Sequence, residues 1–288
     1  MSERPARRRS RGRDAKRAER RQSQAAVSAF IERKIPYFDY ISTESLELIE
    51  HNADTLLEEI GIEFRDDPEA LAILKDAGAD VQGELVRFPR GMCRSIVQAS
   101  APREFTQHAR NPQRNVIIGG DRTVLVPAYG SPFVRDLDQG RRYATLEDFR
   151  NFVKLAYLAP GLHHSGGTVC EPVDLPVNKR HFDMVYSHMK YSDKPFMGSV
   201  TSGENAQDSV AMAEILFSRD MIRENPALLS LINVNSPRQF DDRMLGALKV
   251  YARARQAVII TPFILAGVTG PVTIGGTIVQ QNAEVLAG

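Results

Sequence analysis

Four apolar, strand-like runs recur along the second half of the chain at nearly constant spacing, and nothing else in the sequence narrows the fold as much. They centre on His164 (GLHHSGGTV), Phe196 (KPFMGSV), Leu231 (LLSLINVN) and Ile260 (AVIITPF), with successive centres 32, 35 and 29 residues apart. Each run is followed by a helical pattern. The last is the clearest: residues 258–264 are continuously apolar, a Gly/Pro/Thr turn follows, and residues 273–286 read as a helix packing back. Strands without polar alternation are buried on both faces, as in parallel sheets covered by helices. A βα rhythm of roughly 30 residues is that of a TIM barrel, which needs eight units. Only four or five fit before Gly288, so the pattern predicts an incomplete TIM (β/α)8 barrel, the front part of a longer protein.

Composition sets outer bounds. Hydrophobic content of 42% and charged content of 25% are those of a soluble globular protein. No apolar run approaches 18 residues, which argues against a transmembrane helix, and no signal-peptide core follows the basic start. Two cysteines, Cys93 and Cys170, are too few for a disulfide framework and fit the cytoplasm. The net charge of +1 is uneven: residues 1–21 hold ten Arg/Lys against three acidic residues, leaving the rest mildly acidic. That tail lacks residues able to form a core, so residues 1–35 are expected to be a disordered Arg-rich tail. A solvated extension is the simpler reading; nucleic-acid binding is disfavoured because no aromatics are interleaved.

Local patterns fill in the remainder. Residues 42–60 carry Leu46, Ile49, Ala53, Leu56, Leu57 and Ile60 at helical spacing, stopped by Gly61. A second helix over 67–77, a strand over 85–88 and a third helix over 89–99 make residues 36–112 an N-terminal helical region. Hairpins are expected over 116–126 and 133–144, the latter leading to a helix over 146–158 capped by Thr145. The barrel part is placed at residues 113–288.

In a barrel of this kind chemistry sits at the C-terminal ends of the strands. That rule selects Glu171 after the first run, Ser199 and Thr201 after the second, Asn233, Asn235 and Ser236 after the third, and Thr261 and Phe263 after the last. Asn233 and Asn235, one residue apart on a strand, share a face, and polar residues facing a barrel interior need partners or a ligand. Glu171 is either a structural charge or the partner of a cation. Tyr129, Phe133, Phe196 and Phe263 could cage a quaternary ammonium group, although core packing is the simpler reading for each. A zinc site is disfavoured: His163 and His164 are adjacent on a strand and point apart, and Cys170 reads as a small buried residue. His181 and His188 read as surface or interface residues. No strand-end lysine, phosphate loop or nucleophile elbow is present.

The segments GLHHSGGTVCEPVDLP, YSDKPFMGSVTSGENAQDSVAMAEILF, LLSLINVNSP and TPFILAGVTGPVTIGGTIVQQNAEVLAG closely resemble the trimethylamine methyltransferase family, in order and over nearly the whole chain from about Pro36. The resemblance implies a TIM barrel. It also implies an enzyme that moves a methyl group from a methylated amine, either trimethylamine or a quaternary amine such as glycine betaine, to the cobalt of a corrinoid protein. The corrinoid would be carried by that partner, with no cofactor bound directly and no metal on this chain. In the trimethylamine enzymes the activity is linked to a pyrrolysine at a position beyond Gly288. The arginine-rich start leans towards the pyrrolysine-free branch. The resemblance supplies no catalytic set for this half, and the catalytic residues are left open. From their positions, Asn233, Asn235 and Glu171 are expected at the substrate's polar or cationic end and Phe196 and Phe263 beside it. Gln281 could reach the barrel mouth, or it and Gln280 could only cap or pack. A homo-oligomer is expected. The alternative is a non-catalytic barrel fragment acting as a binding or scaffold protein.

Overall fold

A computed structural model describes residues 28–288, and the basic stretch of residues 1–21 lies outside it. Of the expected disordered tail, residues 28–35 are described. Here Ile31–Glu32 (β1) pairs antiparallel with Arg122–Thr123 (β7), and Arg33 forms an ion pair with Asp121. Backbone pairing and that ion pair tie down a stretch expected to be free.

The N-terminal region is less helical than its periodicity suggested. Helix α1 (Thr43–Thr55) starts at Ser42, whose hydroxyl accepts the Ser45 N–H, and runs on through a π-helical turn, Leu56–Ile60. Gly61 ends it at φ 83°, where a Cβ would strike the Val86 carbonyl. Two further helices follow, α2 (Pro68–Asp76) and α3 (Met92–Ser100). Between and after them run short strands: β2 (Ile62–Phe64), β3 (Asp80–Gln82), β4 (Leu85–Arg87), β5 (Glu104–Gln107) and β6 (Val116–Gly119). They form two sheets, ordered β12-β2-β4-β3 and β1-β7-β6-β5, where β12 is Gln239–Phe240. Three-residue strands show too little alternation to be read from sequence, which is why β2, β3 and β5 were not expected, whereas β4 near Leu85 and β6 in the first hairpin were. The expected second strand of the first hairpin stops at Thr123. Leu125 instead exchanges hydrogen bonds with His163: its N–H donates to Nδ1 at 2.9 Å, and the His163 N–H donates to its carbonyl at 3.0 Å.

The second hairpin, β8 (Phe133–Asp136) with β9 (Gly140–Tyr143), and helix α4 (Leu146–Leu158) form where expected. Thr145 and Asp148 close a reciprocal capping box at the start of α4. The βα alternation then runs α5 (Arg180–Tyr191), β10 (Phe196–Met197), α6 (Gly203–Phe217), α7 (Arg219–Glu224), β11 (Leu228–Val234), α8 (Asp242–Arg253), β13 (Ala257–Pro262) and α9 (Ile274–Ala287). Strands β10, β11 and β13 form a parallel sheet, with Phe196 opposite Leu228 and Leu229 to Val234 opposite Ala257 to Pro262. The run around His164 lies beside β10 without regular strand geometry. Ser165 N–H reaches the Pro195 carbonyl at 2.8 Å and Met197 N–H the Gly166 carbonyl at 2.9 Å, but Gly166 at φ 89° bends the ladder. No closed barrel forms among the described residues; the fold is a mixed α/β one.

Helices cover one face of this sheet. Leu228 and Ile232 pack with Ala206, Ala213, Ile222, Ala247 and Tyr251 in one buried cluster. Val234 belongs to a second, with Ala53, Leu57, Phe64, Val86, Phe240, Leu245 and Ala283, which joins the N-terminal elements to α8 and α9. Phe64 and Phe240 stack there at 5.3 Å. No helix among the described residues is long and apolar enough to cross a membrane.

Candidate functional site

Alternation along β11 and β13 decides what the other face presents. With Leu228, Ile232 and Val234 turned to the helices, Leu231 and Asn233 lie opposite, beside Ile259 and Thr261 of β13. Asn233 and Ile259 are exposed, so this face is open at its C-terminal edge. There the Thr261 hydroxyl lies 3.0 Å from Asn233 Oδ1 and 3.1 Å from the Ile232 carbonyl. With Oδ1 turned to that hydroxyl, the Asn233 amide nitrogen makes no hydrogen bond among the described residues and can donate outward.

The other candidates are distributed differently from their expected roles. Asn235 lies past the end of β11, and its Nδ2 donates to Asp241 Oδ2 at 2.9 Å. Asp241 in turn caps α8 by accepting the Met244 N–H at 2.8 Å, so the Asn235 amide is engaged in supporting a helix start. Glu171 pairs with Arg180 at 2.9 Å, so a cation already sits on the carboxylate proposed for a cationic substrate. Phe196 is 2% exposed and packs with His188 and Phe217 at ring distances of 6.2 and 6.4 Å. On β10 the alternation turns Phe196 to the helices and Met197 to the other face, which removes Phe196 from any cage. Phe133 is taken up by Tyr143 at 4.7 Å and by Arg141, whose guanidinium lies 3.9 Å from its ring centre. Phe263, 68% exposed just after β13, remains available. Gln281 is exposed on α9; its neighbour Gln280 is the inward one, 6% exposed.

The bend after the first run is built from buried polar groups. His164 Nδ1 accepts the Gly166 N–H at 2.9 Å, leaving Nε2 to donate to Gln107 Oε1 at 3.1 Å. Gln107 Nε2 meanwhile donates to the Phe196 and Ala227 carbonyls, so one side chain bridges three neighbouring segments of the parallel array. Ser165 donates its hydroxyl to His188 Nδ1 at 2.7 Å, and His188 Nε2 donates to the Gly167 carbonyl at 2.8 Å. Burial pushes His164 down to about 3 and His188 down to about 4, so both are neutral. This Ser–His pair has none of its serine exposed and serves to hold the bend. His181 is buried as well and meets Asp208 at 2.9 Å, so neither His181 nor His188, expected at the surface or an interface, lies on the surface. Helical spacing placed both on one face without revealing that this face was the inner one. Cys170 is buried, its thiol pushed up to about 12 by that burial. No cluster of metal-capable side chains occurs among the described residues.

Glu284 was not expected from the sequence, and Gln280 was expected at most to cap or pack. The signal was available: polar residues four apart on the same face as Ala283, which is buried.

The fold and this edge define a class: an α/β protein whose parallel strands end in an open rim of uncharged polar groups with an exposed aromatic beside it. The chain belongs to the trimethylamine methyltransferase (MTTB) family, whose family model matches residues 8–288. It is 49% identical over 255 residues to the glycine betaine methyltransferase of Desulfitobacterium hafniense (strain Y51), covering 88% of this chain and 53% of that protein. It is 28% identical to the proline betaine:corrinoid methyltransferase of Eubacterium limosum, again covering 88% and 53%. Identity to the trimethylamine methyltransferase MttB of Desulfitobacterium hafniense (strain DSM 10664 / DCB-2) is 26%, covering 85% and 50%. Among solved structures, the crystal structure of the hydroxylamine MtmB complex shares the fold, with a TM-score of 0.54 at 12% identity, over 94% of this chain and 55% of that one. The chain spans about half the length of the curated relatives it matches.

Proposed function

We propose that the protein is a betaine-type methyltransferase that transfers a methyl group from a quaternary amine to the cobalt of a separate corrinoid protein. The observation that carries this reading is the 49% identity to a glycine betaine methyltransferase, against 26% to a trimethylamine enzyme. The architecture that goes with it is the first part of a TIM barrel from about residue 113, after a helix-containing region (36–112) and a basic tail (1–35). The consecutive parallel strands and the fold shared with MtmB support it. The setting is the cytoplasm, in keeping with two free, buried cysteines.

The chemistry is an in-line displacement at a methyl carbon. The carbon–nitrogen bond breaks with its electron pair going to nitrogen, while the methyl group bonds to Co(I) of the acceptor, which becomes methyl-Co(III). A quaternary nitrogen already carries the positive charge, so the amine leaves neutral and needs no proton. What the protein must do is hold the donor with one methyl facing the acceptor and exclude water around it. Asn233 suits the polar end of such a donor because its amide N–H is free to donate to a carboxylate oxygen. Phe263 offers a ring face to the methylated nitrogen. Glu171, held by Arg180, has at most an indirect part.

A donor panel tests the reading. With a corrinoid protein reduced to Co(I), glycine betaine should support methyl-cobalt formation faster than trimethylamine at equal concentration. Faster reaction with trimethylamine would assign the protein to the other branch of the family.

A further inference from the structure

Glu284 lies on the inner side of α9 with none of its surface exposed. Its carboxylate accepts the Ser236 hydroxyl at 2.6 Å and the Arg238 backbone N–H at 2.7 Å, both from the loop that follows β11. Gln280, one turn earlier, donates to it through Nε2 at 2.8 Å. The same amide nitrogen donates its second hydrogen to the Thr269 carbonyl at 2.9 Å, in the loop that follows β13. Thr269 holds that loop together: its hydroxyl accepts the Leu265 N–H at 2.7 Å and reaches the Phe263 carbonyl at 3.2 Å. One continuous chain of hydrogen bonds therefore runs from Ser236 through α9 to Phe263, joining the two loops that flank the Asn233–Thr261 rim.

Burying a carboxylate is costly unless donors converge on it. The three groups that donate to Glu284 are all uncharged, and two come from a loop 46 to 48 residues distant in sequence. Packing alone would be served as well by a leucine at this position. A group satisfied in this way fixes geometry: moving the β11 loop would strip two donors from a buried carboxylate, and moving the β13 loop would take the Thr269 carbonyl from Gln280, the carboxylate's third donor.

We propose that Glu284 is a positioning residue for the rim, coupling the β11 and β13 loops so that Asn233, Thr261 and Phe263 face the substrate together. The substrate half of this statement rests on the methyltransferase reading above; the coupling of the loops does not. Amide hydrogen exchange of the full chain tests the coupling by itself. Ser236→Ala removes one donor in the β11 loop and leaves the charge in place. It should speed exchange at Leu265, in the other loop, by about tenfold, the scale of one weakened hydrogen-bond link. Exchange at Ser199, whose N–H is held by Ser209 at 3.0 Å outside the network, should not change. Unchanged exchange at Leu265 would overturn the coupling. Glu284→Gln tests the consequence: KM for glycine betaine should rise about tenfold with kcat nearly unchanged, and Glu284→Asp should recover part of the loss. Equal KM for both variants and the unsubstituted protein would overturn the positioning role. If the unsubstituted protein transfers no methyl group, the methyltransferase reading falls, and the exchange result still decides the coupling.

Discussion

Thr261 and Asn233 face each other in register across two parallel strands, hydroxyl to amide oxygen at 3.0 Å, at the point where both strands end. The contact commits the acceptor end of Asn233 and leaves its donor end free. Asn233→Ala should therefore raise KM for glycine betaine by about tenfold, the worth of one hydrogen bond to a charged group. Because Asn233 is exposed, its melting temperature should stay close to that of the unsubstituted protein. Asn235→Ala, which removes support from the Asp241 cap, should show the reverse pattern: a small loss of stability and little change in KM.

Lys194 is 2% exposed, and its ammonium group donates to three carbonyls, Ala156 at 2.7 Å, Leu162 at 2.8 Å and Ala159 at 3.2 Å. It caps the C-terminal end of α4 from the entry to β10, and burial pushes its pKa down to about 8. Lys194→Met fills the same space but orphans the carbonyls, and should cost about 2–4 kcal/mol in urea unfolding.

Gly198, just after β10, has no room for a side chain, because a Cβ would strike the Tyr251 hydroxyl. That hydroxyl donates to the Ser199 carbonyl at 2.5 Å and pins the rim loop. Gly198→Ala should destabilise the protein by about 1–3 kcal/mol. Adding Tyr251→Phe should recover part of that loss, which a double-mutant cycle of thermal unfolding would read as coupling between the two positions.

His164 and His188 are neutral when folded, with pKa values of about 3 and about 4, and take up protons near 6.5 once unfolded. The unfolded chain thus binds more protons than the folded one between these limits, so protonation favours unfolding as pH falls. Their contribution to stability is complete above pH 6.5 and declines progressively towards pH 4. Urea midpoints measured across that range should fall, and His188→Leu should flatten the decline.

The repeat of apolar runs was a reliable guide to position because parallel strands carry few polar residues and the helices between them need one apolar stripe, although β13 has no buried residue in the structure. It located β10, β11, β13 and α9 to within a few residues. The run at His164 misled because its backbone bends at Gly166, and the hydrogen bonds that replace the ladder come from the side chains of His164, Ser165 and His188. The small N-terminal sheets were hidden by strands only two to four residues long. At the site, spacing put Asn233 and Asn235 together on one strand face, but it could not show that β11 ends before Asn235 or that Arg180 meets Glu171. Nor could it separate Gln280 from Gln281, since one residue along a helix turns the side chain by about 100°. Such facts depend on where elements stop and on contacts between segments distant in sequence.

The central claim is methyl transfer from a quaternary amine to cobalt, and isotope tracing tests it most directly. The protein would be mixed with a corrinoid protein reduced to Co(I) and glycine betaine carrying 13C in its N-methyl groups. The account predicts a 13C-labelled methyl-cobalt species and N,N-dimethylglycine in equal amounts, both dependent on the protein. Dimethylglycine without labelled methyl-cobalt, or neither product, would contradict it.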